Sequence, residues 1–462
     1  MFLNIDKKKP DSMAILDSSG LRLTYGELCD FCHEFNLKIS SRALIFILGR
    51  NCVGVAAAYI ASLSSRIVPL LLNAGIEKGF LKGLIETYKP AYVWAPADID
   101  GDFGKDVWGR YDCTLYETNL NSSPMNNDLS LLLPTSGSTG SPKLVRHSYK
   151  NVEANAENVA RFFDIEENER PMLDSPIYNT YGLSILSSHI FAGATVLLTP
   201  ETVLSRAYWN LFNDNNATSI SGVPYTFELL KKLRFFNMDL PSLTTITQGG
   251  GRLSDNLYLE LAEYARATNR RFIPTYGQSE STARMSGYIA DDVASKCCTI
   301  GKPIPNGKMT LINESGVLIS QPGEIGEIVF EGLNVTLGYA ENASDLIRGD
   351  ERGGVLFTGD LAITDSDGCF YIVGRKSRFL KLYGTRVGLD ECERMISSTF
   401  NTECACTGDD TVLKVYLIDA VRKDEVASFV PSALGINPVA VEVIVIASFP
   451  RNEAGKILYN SL

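Results

Sequence analysis

The chain has 462 residues, of which 45% are hydrophobic and 21% charged, and its formal net charge is −11. That length allows roughly two to four domains, or one large α/β body with an appendage. The acidic balance excludes the basic surplus usual for nucleic-acid binders, so no nucleic-acid partner is expected.

The opening segment, MFLNIDKKKP, has no apolar run after its charges, unlike a secretory signal. A buried strand is predicted at ALIFIL (Ala43 to Leu48), a helix from Asn51 to Ser64, and a strand at RIVPLLL. The window from Val53 to Leu72 is the most apolar. Ser62, Ser64, Ser65 and Arg66 interrupt it and Pro69 follows, so it reads as a helix running into a strand, not a membrane span. A cytoplasmic protein is expected. AYVWA (Ala91 to Ala95) is the next strand. After residue 128 come the strand LSLLLP, a glycine-rich loop, the strand KLVRHS and a helix from about Tyr149 to Phe163. ATVLLT, TSISG, LTTITQ and RFIPTY are further strands with helical segments between them. This alternation predicts α/β layers with mainly parallel sheets.

Beyond about Ile300 glycine and proline become frequent, and KMTLIN, GEIVFEG and CFYIVG predict a small, largely antiparallel unit. After Gly374 the pattern is α+β, with KVYLID, a helix near Lys423 to Phe429, and VEVIVIAS. The charge run RKSR (Arg375 to Arg378) suits an exposed linker. The ten cysteines include Cys29 with Cys32, Cys297 with Cys298, and Cys404 with Cys406. None is spaced with His33, His147 or His189 as a zinc site requires, so reduced thiols are expected.

Chemistry concentrates first in the loop TSGSTGSPK. Thr135, Ser136, Ser138 and Thr139 offer hydroxyl donors to phosphate oxygens. Gly137 and Gly140 let backbone N–H groups approach an anion closely, and Lys143 adds a mobile positive charge. A Walker A loop needs four residues between its glycines and GK[ST] after them, which this loop lacks. A plain Ser/Gly surface turn shares the composition but not the full string.

That string resembles the signature of the adenylate-forming superfamily, which includes acyl- and aryl-CoA ligases, peptide-synthetase adenylation domains and luciferases. Further motifs follow in the family's order over nearly the whole chain: LTYGEL, QGGGRLS, YGQSE, GEIVFEG, LGYAEN, LFTGDLA, GRKSRFLKLYG and PRNEAGK. The resemblance implies an N-terminal AMP-binding domain over 1–374, built of stacked, mainly parallel sheets with helices and a small β unit. A small mobile α+β lid would span 375–462. It implies that ATP transfers AMP to a carboxylic acid, with Mg2+ bridging phosphates, before the acyl group passes to the thiol of CoA or of an acyl-carrier protein.

By the same resemblance, Glu280 is the Mg2+ ligand, Tyr276 lies against adenine, and Gly249, Gly250 and Gly251 form the opposite wall. Asp360 holds the ribose hydroxyls, with Arg375 as a second contact. Lys456 bridges carboxylate and phosphate, a task suited to a point charge on a flexible stem. Lys381 and Gly384 resemble the segment lining the thiol tunnel.

Several positions depart from the pattern. Ser377 stands where the hinge usually carries Asp or Lys, and the segment from Ser377 to Leu462 is shorter than is usual. In SPIYNTYG, Asn179 or Tyr178 stands where His or an aromatic is usual. Amino-acid-activating members place an aspartate nearby for the substrate ammonium. Neither Asn179 nor Thr180 is acidic, and a buried ammonium without a carboxylate is costly, so an acyl or aryl acid is expected. Tyr178, Asn179, Tyr181 and Gly182 are candidate pocket residues, although packing accounts for Tyr178, Tyr181 and Gly182 equally well. Two alternatives stay open: an adenylating enzyme with an amine or hydroxyl acceptor, and a silent ATP-binding relative.

Overall fold

The computed structural model describes residues 1–39, 42–120, 123–134, 143–290, 292–382, 385–409, 411–434, 436–452 and 455–462. The chain divides into two compact units. The first comprises Met1–Cys298, Pro303–Lys308 and Glu331–Leu356; the second comprises Thr299–Lys302, Met309–Phe330 and Phe357–Leu462.

Two sheets organise the first unit. One is eight-stranded, with its centre at the parallel strands Leu129–Pro134, Val68–Asn73, Leu44–Gly49 and Tyr92–Pro96. These strands are buried on both faces and therefore read as continuous apolar runs rather than alternating ones. The helix Val53–Ser64 is buried from Val53 to Leu63, which explains why its sequence is apolar all round. An edge hairpin, Lys105–Arg110 and Cys113–Glu117, extends the sheet antiparallel. It is anchored by Trp108, whose ring centroid lies 5.5 Å from Phe31 and 5.8 Å from Trp94. Each aromatic pair in such a cluster contributes about 0.5–1.5 kcal/mol beyond its area.

The other sheet carries the parallel strands Pro171–Leu173, Ser219–Gly222, Thr245–Gln248 and Arg271–Gln278. Its register aligns Gly222 with Gln248, and Gln248 with Pro274. Loops leaving the carboxyl ends of these strands therefore start side by side, the usual place for a ligand in open α/β sheets. Ala283–Gly287 returns antiparallel to Arg271–Gln278, pairing Arg284 with Gly277. The predicted helix from Tyr149 to Phe163 forms over those residues. Ser148 and Asn151 close a capping box at its start, and Asp164 ends it in a left-handed conformation.

The second unit contains most of an antiparallel sheet built from Lys308–Ile312, Gly326–Glu331, Val355–Thr364 and Phe370–Arg375. A three-stranded sheet, Cys404–Gly408, Leu413–Leu417 and Val441–Val445, packs with the helices Leu389–Phe400 and Lys423–Leu434 around Leu413, Val415, Val426, Val430 and Ile396. The second helix runs past the predicted end and includes Pro431. In the RKSR run Arg375, Lys376 and Ser377 are exposed, as expected, and Arg378 is half-buried. Lys376 pairs with Glu327 at 2.8 Å, and Arg378 pairs with Asp390 and Glu393. Acidic partners draw only Arg378 inward, which a local charge count cannot register.

Candidate active site

In the first unit, the helix Thr180–Ala192 organises one wall. Asn179 caps it, its side-chain oxygen accepting from the Gly182 N–H at 3.2 Å. A Cβ on Gly182 would lie 2.4 Å from the Pro176 carbonyl oxygen, so glycine is required for this close approach. Asn179 and Gly182 thus set the backbone here, while Tyr178 packs against the core beside Gly49. Thr180 Oγ1 lies 3.2 Å from Ser279 Oγ, next to Glu280.

The glycine turn after Thr245–Gln248 is held by the Gln248 side chain, which donates to the carbonyls of Gly249 at 3.1 Å and Gly251 at 2.7 Å. A Cβ on Gly249 would come within 2.7 Å of Tyr181 Cε2 and 2.8 Å of Thr275 Oγ1, and Gly250 has φ +77°. The turn therefore presents bare backbone next to the Tyr181 ring. Tyr276 lies on the neighbouring strand, and the Gln278 side chain donates to its hydroxyl at 3.4 Å.

Glu280 and Lys143 meet at a residue that sequence reasoning passed over. Tyr339 donates its hydroxyl to Glu280 Oε1 at 2.7 Å. Lys143 Nζ stands 3.9 Å from the centre of the same ring, and the Arg352 guanidinium 4.7 Å from it. Burial, and then the Glu280 carboxylate, push the Tyr339 hydroxyl up to about 12, so it stays a donor at neutral pH. Arg352 also donates to the Glu280 main-chain oxygen at 3.1 Å and to Thr336 Oγ1 at 2.6 Å, fixing the loop that carries the carboxylate. A cleft of about 450 Å³ opens here, with Lys143, Tyr339, Arg348, Arg352, Glu341 and Asp345 in its lining. Tyr339 lies in LGYAEN, a motif whose aromatic residue was the available signal. Lys143 also lies 3.9 Å from the Glu341 carboxylate, so the cations here are partly balanced, and a carboxylate such as Glu280 suits Mg2+, which takes few protein ligands and keeps water and phosphate oxygens. Thr135, Ser136, Gly137, Ser138, Thr139 and Gly140 lie outside the described residues.

The second unit brings Asp360 and Arg375 together as cross-strand partners. Arg375 Nε donates to Asp360 Oδ1 at 3.0 Å. Asp360 is 4% exposed, and its N–H donates to Thr358 Oγ1 at 3.1 Å. Gly359 between them has φ +71°, so the Thr-Gly-Asp turn needs its glycine. Lys456 is exposed, in a turn fixed by the Asn452 and Lys456 main chains; Arg451 donates to the Gly455 carbonyl at 2.7 Å. Lys381 pairs with Arg386 in a hairpin, and Gly384 lies outside the described residues.

The sequence pattern that defines AMP-binding enzymes matches residues 3–340, and the chain belongs to that family. By class it is an ATP-dependent acid–thiol ligase that forms AMP. The 2-succinylbenzoate–CoA ligase of Oceanobacillus iheyensis is 23% identical over 476 residues, covering 98% of this chain and 96% of that one. The fold is shared with o-succinylbenzoate CoA synthetase of Bacillus subtilis, solved with its acyl-adenylate intermediate. The TM-score is 0.81 at 22% identity, over 99% of this chain and 96% of that chain. The Bacillus enzyme solved with ATP and magnesium ion gives a TM-score of 0.76 at 22% identity, over 100% and 98% of the two chains. ATP and Mg2+ are thus ligands of this family. Among the described residues no helix is long and apolar enough to cross a membrane.

Proposed function

We propose that this chain, in the cytoplasm, joins an acyl or aryl acid to the α-phosphate of ATP and then passes the acyl group to the thiol of CoA or a carrier protein. In the first step a carboxylate oxygen bonds to the α-phosphorus and the bond to pyrophosphate breaks. In the second the thiol sulfur bonds to the acyl carbon, and AMP leaves with the electron pair of the anhydride bond.

The observation that carries this reading is the convergence of Glu280, Lys143 and Arg352 on Tyr339. Joining two anions requires positive charge preorganised where negative charge gathers. We assign Mg2+ to Glu280, and the departing phosphates to Lys143 with the 135–140 loop. Gly249, Gly250, Gly251 and Tyr276 would enclose adenine, and Asp360 with Arg375 the ribose hydroxyls. Tyr178 would face the acid, with its backbone frame set by Asn179 and Gly182. Residues 375–462 would act as a lid in which Lys456 serves adenylation, and Lys381 and Gly384 line the path of the thiol.

ATP–pyrophosphate exchange over a panel of acids tests the first step, and silence with every acid would overturn it. Lys456→Ala is expected to slow exchange roughly a hundredfold, about 3 kcal/mol of transition-state stabilisation. Thioester formation from a supplied acyl-adenylate should survive. Equal loss in both steps would remove the division of labour proposed for the lid.

A further inference from the structure

Four residues beyond Glu280, on the strand Ala283–Gly287, Arg284 is 3% exposed. Its guanidinium lies between two aromatic faces, 4.7 Å from the centre of Tyr181 and 5.2 Å from that of Phe163. Nη1 donates to Ser184 Oγ at 3.0 Å. Ser184 in turn donates to Asn155 Oδ1 at 3.1 Å, and Asn155 donates back to the Arg284 carbonyl at 3.2 Å. Nε is buried without a partner, and among the described residues no carboxylate forms an ion pair with this guanidinium.

A guanidinium cannot escape burial by losing its proton, and its five N–H donors form a fork that matches a carboxylate. Ser184 and the Tyr181 hydroxyl take part of that fork and Nε remains unspent, so an anion that reached Nε would find a donor waiting. Enclosing a cation without its counter-ion is costly, and a ligand that brings the counter-ion recovers that cost on binding. The location is specific. Tyr181 is the ring that a Cβ on Gly249 would strike, and its neighbour Thr180 touches Ser279 beside Glu280. Tyr181 therefore stands between the Gly249 turn and the Arg284 guanidinium.

We propose that Arg284 determines specificity, selecting acids that carry a second anionic group, a carboxylate, away from the one that reacts. This rests on the adenylation reading above. Sites built around a buried polar group reject analogues that leave it unpaired far more strongly than apolar pockets reject a missing methylene.

The test measures ATP–pyrophosphate exchange by the full chain on diacids and their monomethyl esters, which keep the shape and lose one charge: succinate, glutarate and phthalate. Simple aliphatic and aromatic monoacids complete the panel. The expected result is a kcat/KM ratio of roughly a hundredfold or more for diacid over monoester in at least one pair. In Arg284→Met the ratio should fall to about threefold or less through loss on the diacid alone. Arg284→Lys, which keeps the charge without the fork, should retain part of it. Ratios near one in every wild-type pair, or exchange with monoacids only, would overturn the selectivity and leave adenylation standing. An equal drop on both members in Arg284→Met would make Arg284 a packing cation and also overturn it. No exchange with any acid would overturn both readings. If Arg284→Met does not fold, the wild-type ratios decide, together with thermal protection of the wild type by diacid but not monoester in the presence of ATP.

Discussion

Arg146 and Arg284 are both enclosed in the first unit, 0% and 3% exposed, yet they have opposite surroundings. Arg146 spends its donors on the carbonyls of Tyr339, Arg348, Gly349 and Leu337 and on the Glu351 carboxylate. It stitches the strand Leu144–Ser148 to the segment 337–351, and the fold itself supplies its counter-charge. Arg284 has the hydroxyls of Ser184 and Tyr181, two rings and no carboxylate among the described residues. Burial alone therefore does not separate a structural cation from a selective one; the partners do.

The sharpest way to break this comparison is to remove each guanidinium in turn. Arg146→Met orphans four carbonyls and is expected to cost about 3–4 kcal/mol, at about 1 kcal/mol per lost hydrogen bond. Arg284→Met is expected to stay within about 1 kcal/mol of wild type, because removing a buried charge that has no counter-ion recovers its desolvation cost and offsets the lost bond to Ser184. Urea denaturation measures both, and equal losses would make the two arginines alike.

His147, next to Arg146, supplies a third solution. Thr282 spends its hydroxyl proton on the Asn334 carbonyl, so His147 Nδ1–H donates to Thr282 Oγ1 at 3.3 Å and Nε2 is left bare. Burial, reinforced by Arg352, holds its pKa down at about 3, against an ordinary 6.5, so the folded ring stays neutral. Below pH 6.5 the unfolded chain takes up a proton that the folded chain refuses. Stability is therefore full above 6.5 and falls as pH drops towards 3, by up to about 1.4 kcal/mol per unit. His147→Asn should flatten that part of the stability–pH curve, and an unchanged slope would mean the ring is charged when folded. The smallest effect is expected from Tyr339→Phe. It keeps the ring under Lys143 and Arg352 but removes the donor to Glu280, about 1 kcal/mol or fivefold in the kcat/KM of exchange. A larger loss would mean that the hydroxyl itself reaches the reacting groups.

The layered fold was legible because its central strands are continuous apolar runs separated by capped helices. The edge hairpin 105–117 was not. Its turn uses Tyr111 and Asp112 at φ 51° and 56°, a primed-turn geometry usually announced by Asn-Gly or Asp-Gly. In the candidate site, Lys143, Glu280, Asp360 and Lys456 stood out because they sit in complete motifs. Tyr339 and Arg352 were passed over because they act through Glu280 from a segment far along the chain. Arg284 had a signal that went unread: an arginine in the middle of a strand buried along its whole length.

The pairing of Arg378 has a mechanical meaning. Its guanidinium is gripped by Asp390 and Glu393 on the helix Leu389–Phe400 and lies 3.9 Å from the centre of the Tyr459 ring. Tyr459 also donates to Glu393 at 3.1 Å. Ser377 is the preceding residue, and on its other side the Arg375 main-chain N–H donates to Asp390 at 2.8 Å, while Arg394 of the same helix donates to the carbonyl of Val373, so the helix is tied to the chain on both sides of Ser377. Asp390 thus works as a clasp that holds Arg375 and Arg378 at once, and any turn of the backbone at Ser377 has to open one side of it first.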